Sequence, residues 1–121
     1  MKLYHGTTQD CFSQIIKSGY LCGIREEIFR GKNELVNSWT LSKEAAFCHG
    51  QFIFVIEIDA LTLFEYFDYV YSDEQEYITD LTIPLFELPN EDNGFPIKIK
   101  NILMPNINYN NTYLLKKYGY Y

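Results

Sequence analysis

The run Phe52-Ile53-Phe54-Val55-Ile56-Glu57-Ile58 constrains the fold more than any other segment, because every residue in it except Glu57 is β-branched or aromatic. A run of that length and composition is a buried strand. A sheet must therefore be assembled around it, and the other segments divide into those that extend the sheet and those that cover it.

Residues 2–4 are short and β-prone, and His5-Gly6-Thr7-Thr8 follows with a glycine and two hydroxyls, so a strand is expected to end there in a polar turn. Over 10–18, Phe12, Ile15 and Ile16 fall at helical spacing, and Gly19 stands where a left-handed C-terminal cap belongs. The spacing predicts a short amphipathic helix. Residues 20–37 carry Arg-Glu-Glu and Arg-Gly-Lys-Asn-Glu without a sustained period, which reads as a long loop, and long loops in small domains are commonly functional. Residues 38–41 form a brief extended piece. Ser42 then caps a second helix with Glu44 in its first turn, ending near Gly50, with Ala45, Ala46 and Phe47 facing inward.

Residues 61–71 are aromatic and fit either element type, while 75–84 are strand-like. Over 96–103, Ile97-Lys98-Ile99-Lys100 alternates apolar with charged residues, the pattern of a sheet with one wet face. No element is assigned beyond Pro105. Two helices near the start followed mostly by strands predict an α+β fold, and 121 residues have room for a single domain over 1–121 with one site.

Charge and cysteine content narrow the function classes. The formal net charge is −6 and the arginines are two, Arg25 and Arg30, so the surrounding field repels a phosphate backbone and disfavours nucleic acid as a partner. A local patch around Lys98, Lys100, Lys116 and Lys117 is the one basic feature. Cys11, Cys22 and Cys48 are an odd set without zinc-ligand spacing, so neither a metal nor a disulfide is expected. No leader-like segment and no apolar run of membrane-spanning length occurs, and a cytoplasmic protein is the expectation.

Three places carry candidate chemistry. His5 precedes Gly6, whose missing side chain would let a planar ligand approach the main chain, although a histidine in such a pair also serves simply to close a turn. In Ser38-Trp39-Thr40, strand alternation sends Trp39 to one face and both hydroxyls to the other, and the indole is either a stacking platform or core. Glu74-Gln75-Glu76 opens the apolar strand Tyr77-Ile78-Thr79-Asp80-Leu81, where a carboxylate is costly unless it borders a cleft.

Taken together, Leu3-Tyr4-His5-Gly6-Thr7, then Ile15 and Gly19, then the nine residues from Ser38 to Ala46, then Gln75-Glu76-Tyr77-Ile78 resemble the ADP-ribosyltransferase superfamily in order and in flanking residues. The first and third blocks look like the poly(ADP-ribose) polymerase and diphtheria-toxin branch. Ser38-x-Thr40 and Glu74-x-Glu76 look like the arginine-directed toxin branch, and Trp39 takes the place of the first branch's tyrosine. The resemblance implies a compact split β-sheet and NAD⁺ as co-substrate, with no metal. It implies that His5 bonds the adenosine ribose, that the backbone of Gly6 and its neighbour Thr7 holds the carboxamide, that Trp39 stacks on nicotinamide, and that Ser38 and Thr40 brace the site. Glu76 would stabilise the oxocarbenium-like ribose as nicotinamide leaves, and Glu74 would orient or deprotonate an acceptor.

The expected activity is mono-ADP-ribosylation of a macromolecule, with a protein acceptor favoured by the acidic charge. NAD⁺ hydrolysis, RNA 2′-phosphotransfer and a non-catalytic NAD⁺-binding or inhibitory module are the alternatives.

Overall fold

A computed structural model describes residues 1–70, 75–85, 96–105 and 116–117. In chain order the elements are β1 (Lys2–Thr7), α1 (Gln9–Ser18), β2 (Tyr20–Leu21), β3 (Arg25–Phe29), β4 (Lys32–Thr40), α2 (Lys43–Phe47), β5 (Phe52–Glu57), α3 (Ala60–Tyr66), β6 (Asp68–Val70), β7 (Glu76–Thr79), β8 (Ile83–Pro84) and β9 (Asn101–Leu103). The fold is α+β. A seven-stranded sheet runs β6-β7-β4-β1-β5-β9, with β3 also paired to β4, and β2 pairs β8 in a small second sheet. All these pairings are antiparallel.

The apolar run is β5, flanked by β1 and β9. Its alternate residues feed opposite faces of the sheet, as the period of two requires. Phe52, Phe54 and Ile56 join Leu3, Trp39, Phe12 and Ile16 in the main core, and Ile53 and Val55 pack with Ala46 and Tyr4 on the other face. The first face is covered by α1, whose Phe12 and Ile16 are fully buried. On the second face α2 sits against β1, β4 and β5.

Helices α1 and α2 begin at their capping residues, and a capping glycine also ends α1. The Thr8 hydroxyl accepts from the Cys11 N–H, and Gly19 closes α1 in the left-handed region at φ 83°. The Ser42 hydroxyl likewise accepts from the Ala45 N–H. Of the three α2 residues expected to face inward, Ala46 is buried, Ala45 is half-buried and Phe47 is exposed.

Two expectations are corrected. The first strand does not end at Tyr4: it runs through His5 and Gly6 to Thr7, held by unbroken register with β5 from Lys2–Glu57 to Thr7–Phe52. The pairing of the most apolar strand in the chain overrides the turn propensity of the His-Gly-Thr sequence. Residues 20–37 are likewise not a loop, because they form β2 and the β3–β4 hairpin. Arg30 and Gly31 both take positive φ, 52° and 83°, the two-residue turn whose twist matches the flanking strands. Its strands escape a hydrophobic-period reading because β3 has exposed residues on both faces.

The ambiguous 61–71 segment divides into α3 and β6 as far as Val70, Tyr71 lying outside the described residues, and the strand-like 75–84 segment divides into β7 and β8. In the 96–103 segment Ile97 and Ile99 are buried while Lys98 and Lys100 are exposed, although ladder pairing begins only at Asn101. Among the described residues no helix is long and apolar enough to cross a membrane.

Candidate functional site

The site forms where the sheet forks. The Val36 carbonyl accepts from the Ile24 N–H at 3.1 Å while Arg25 is Val36's register partner, so two residues face one in a bulge that ends the β3–β4 ladder. Two residues along β4, the Ser38 carbonyl emerges on the same edge. It meets no strand there: β1 joins that edge only at Tyr4–Thr40, and the Ser38 oxygen is bound by the His5 imidazole, with Nδ1 at 2.6 Å. Between β3 and β1 the edge of β4 is open.

A cavity of about 250 Å³ occupies this fork. Tyr4, His5, Gly6 and Thr7 line it from β1, Asn37, Ser38 and Thr40 from β4, and Arg25 from β3, with Ala46 and His49 at its α2 side. Of the eight residues singled out in the sequence, five therefore share one cavity: His5, Gly6, Thr7, Ser38 and Thr40.

A carbonyl oxygen only accepts, so the short contact from His5 requires the proton on Nδ1, which leaves Nε2 as an acceptor. Burial lowers the His5 pKa below the ordinary imidazole value, against the opposing pull of the Ser38 carbonyl, and the charge interaction with His49 lowers it further. The imidazole is neutral at pH 7, with its tautomer fixed by the main chain. Its ring lies 5.3 Å from the Trp39 ring and 6.3 Å from Phe54, so it projects from the core-facing side of β1.

Glu76 starts β7 opposite Thr40 of β4. Register places it on the sheet face that carries Thr40 and Ser38, and its side chain is 11% exposed. Arg25 reaches across to it: Nη2 lies 3.1 Å from Glu76 Oε2, while Nε lies 3.2 Å from Glu27 Oε1. Arg25 thus links the Glu76 carboxylate to the cavity wall. It carried no weight in the sequence as a site residue. The signal that could have found it is the Arg30-Gly31 turn, since a hairpin folded there sets Arg25 beside Val36, two residues from Ser38.

Two expected roles are corrected by the geometry. Trp39 is fully buried in the main core and its indole N–H donates to Asn37 Oδ1, so it presents no ring to the cavity. Alternation separates it from Ser38 and Thr40, which line the cavity. The space left by Gly6's missing side chain is filled by the protein, because a Cβ there would stand 1.8 Å from the Ala46 carbonyl oxygen. The glycine admits α2 to β1, and only its main chain faces the cavity. Glu76 begins β7, and Gln75 before it adopts φ 52°. Glu74 itself lies outside the described residues.

The hydroxyl of Thr40 donates to the Ser42 carbonyl at 2.8 Å, tying the site strand to the cap of α2. The three cysteines are free and exposed, with Cys11 at the cavity rim. Among the described residues no group of three or more His, Cys, Asp or Glu side chains is placed to hold a metal. Comparison of the chain with protein-family models, with curated proteins and with solved structures finds no match.

Proposed function

We propose that the forked cavity binds the nicotinamide riboside end of NAD⁺ and that the protein transfers ADP-ribose to a macromolecular acceptor, on a sheet divided in the manner of ADP-ribosyltransferases. One observation carries this reading. Three blocks far apart in the sequence, at His5-Gly6, Ser38-x-Thr40 and Glu76, converge on one fork, the last joined to it through Arg25. A volume of about 250 Å³ suits one ring and its ribose, with the rest of the dinucleotide across the rim.

Within that site the neutral His5 offers Nε2 as an acceptor for a ribose hydroxyl. Tyr4 pairs with Thr40, and Gly6, two residues on, turns its peptide groups to the same edge, where an amide such as a carboxamide can use them. Glu76 supplies a carboxylate to the ribose as the glycosidic bond breaks, favouring the positively charged transition state over the ground state. For that it must exchange Arg25 for the ribose. Ser38 and Thr40 act through their strand, holding the edge to which His5 is fixed. A protein acceptor agrees with the net charge of −6.

The pairing of Glu76 with Arg25 favours a second reading, NAD⁺ capture without turnover, because the carboxylate is already engaged. Nicotinamide release from NAD⁺ by the purified protein separates the two. Transfer or hydrolysis is expected to fall about 10²–10³-fold in Glu76→Gln with NAD⁺ affinity nearly unchanged. Binding without any nicotinamide release favours capture, and full activity in Glu76→Gln overturns the mechanism.

A further inference from the structure

The sheet face that carries α2 holds a second cavity, of about 280 Å³, lined by Lys2, Tyr4, Lys43, Val55, Lys100 and Asn101, with Leu103 at its edge. Its three lysines come from distant parts of the chain: the start of β1, the first turn of α2 and the residue before β9. The chain has ten Lys and Arg against sixteen Asp and Glu, so three ammonium groups around one small concavity run against the overall balance. Among the described residues the carboxylates beside these lysines are Glu44, which interacts with the charge of Lys43, and Glu57, which bonds Lys100 Nζ at 2.8 Å. The Glu57 pKa is lowered first by that hydrogen bond and charge, and further by Lys2 and the N-terminal amine. Two carboxylates against three lysines still leave the concavity positive. Like charges so gathered repel one another unless an anion is shared between them.

We propose that this cavity is an anion site for a small phosphate-bearing ligand, held by Lys2, Lys43 and Lys100 as point charges, with the Asn101 amide as a further donor. A compact concavity suits a phosphate or diphosphate, whose charge is concentrated on few atoms, better than an acidic peptide, whose carboxylates are spread along a chain. Tyr4 lines this cavity and the forked one alike, but the proposal does not depend on the forked cavity binding NAD⁺.

The test is calorimetry of the full chain with inorganic diphosphate, with ADP and with adenosine, at two salt concentrations. Diphosphate is expected to bind saturably and more weakly as salt rises, and Lys43→Gln combined with Lys2→Gln is expected to weaken it at least about tenfold. Both residues are exposed, and circular dichroism checks that the variants stay folded. Lys43→Gln alone leaves the Lys100–Glu57 pair intact and is expected to show part of the loss. His5→Ala is expected to leave diphosphate affinity unchanged, which separates this site from the fork. ADP binding tighter than diphosphate, with the same lysine dependence, identifies a nucleotide as the source of the phosphate, and equal affinities identify the free anion. The proposal is overturned if diphosphate does not saturate by about 10 mM, if the double variant binds as the parent does, or if a glutamate-rich peptide binds this cluster more tightly than either phosphate compound.

Discussion

At the scale of single residues, the site rests on side chains whose surroundings leave them few alternatives. His5 is held neutral by burial, and that has a measurable consequence for stability. Its folded pKa lies below the unfolded one, so as pH falls through about 6.5 the unfolded chain takes up a proton that the folded chain refuses. The contribution of this group is therefore intact above about pH 7 and is lost progressively on acidification. Urea unfolding between about pH 7.5 and 5.5 is expected to show a steeper decline for the parent than for His5→Gln, and equal slopes would remove the case for a buried neutral imidazole. Gly6 is equally restricted. The collision of a Cβ with the Ala46 carbonyl is with main chain, which has no rotamer to yield, so Gly6→Ala is expected to cost about 3 kcal/mol or to displace α2. Near-parental stability in thermal unfolding would contradict this packing. Trp39 belongs to the same list. Trp39→Phe removes the donor to Asn37 Oδ1 and is expected to destabilise by about 1–3 kcal/mol. NAD⁺ affinity is expected to be unchanged in the folded variant, and a selective loss of affinity would restore the indole to the site.

At the scale of elements, β4 organises the chain: it takes β3 on one end, β7 on one edge and β1 on the other. Much of this was legible in the sequence where burial writes a strong pattern. The run that became β5, the Phe12–Ile16 spacing of α1, the Gly19 cap and the Ser42 cap each rest on a local rule that the tertiary structure does not oppose. The β3–β4 hairpin was hidden because Glu26, Ile28, Leu35 and their neighbours on its outer part are exposed on both sides, which erases the alternation that marks a strand. The position of His5 was legible and its setting was not. The strand up to Tyr4 and the glycine can be read locally, whereas the continuation of β1 to Thr7 is imposed by β5 and the carbonyl that fixes the tautomer lies 33 residues away. Trp39 marks the opposite case: alternation alone already set it on the face away from Ser38 and Thr40, and its burial in the main core follows from β5 lying two strands away.

At the scale of the whole molecule, the elements differ in how firmly they are anchored, and this decides what a ligand can stiffen. Strands β1, β4 and β5 lie inside the sheet, and β4 and β5 have buried residues on both faces. Helix α3 buries none of its residues, and Leu61 and Phe64 on it are 72% and 83% exposed. Few buried apolar contacts mean a low free energy of local opening. Native-state hydrogen exchange is therefore expected to release α3 amides through local opening well below the global unfolding free energy, while β5 amides exchange only with global unfolding. A ligand in the fork contacts β1, β3 and β4 at once. At about one hundred times its dissociation constant it is expected to raise protection of β5 and of the fork strands by about 2.7 kcal/mol while leaving α3 unchanged, because local opening of α3 does not require the ligand to leave. The comparison is made residue by residue with and without NAD⁺ or diphosphate, whose proposed sites lie on different strand sets. Uniform protection of α3 and β5 would mean that the molecule opens only as one cooperative unit, and the division between an anchored sheet and a loosely held helix would then be wrong.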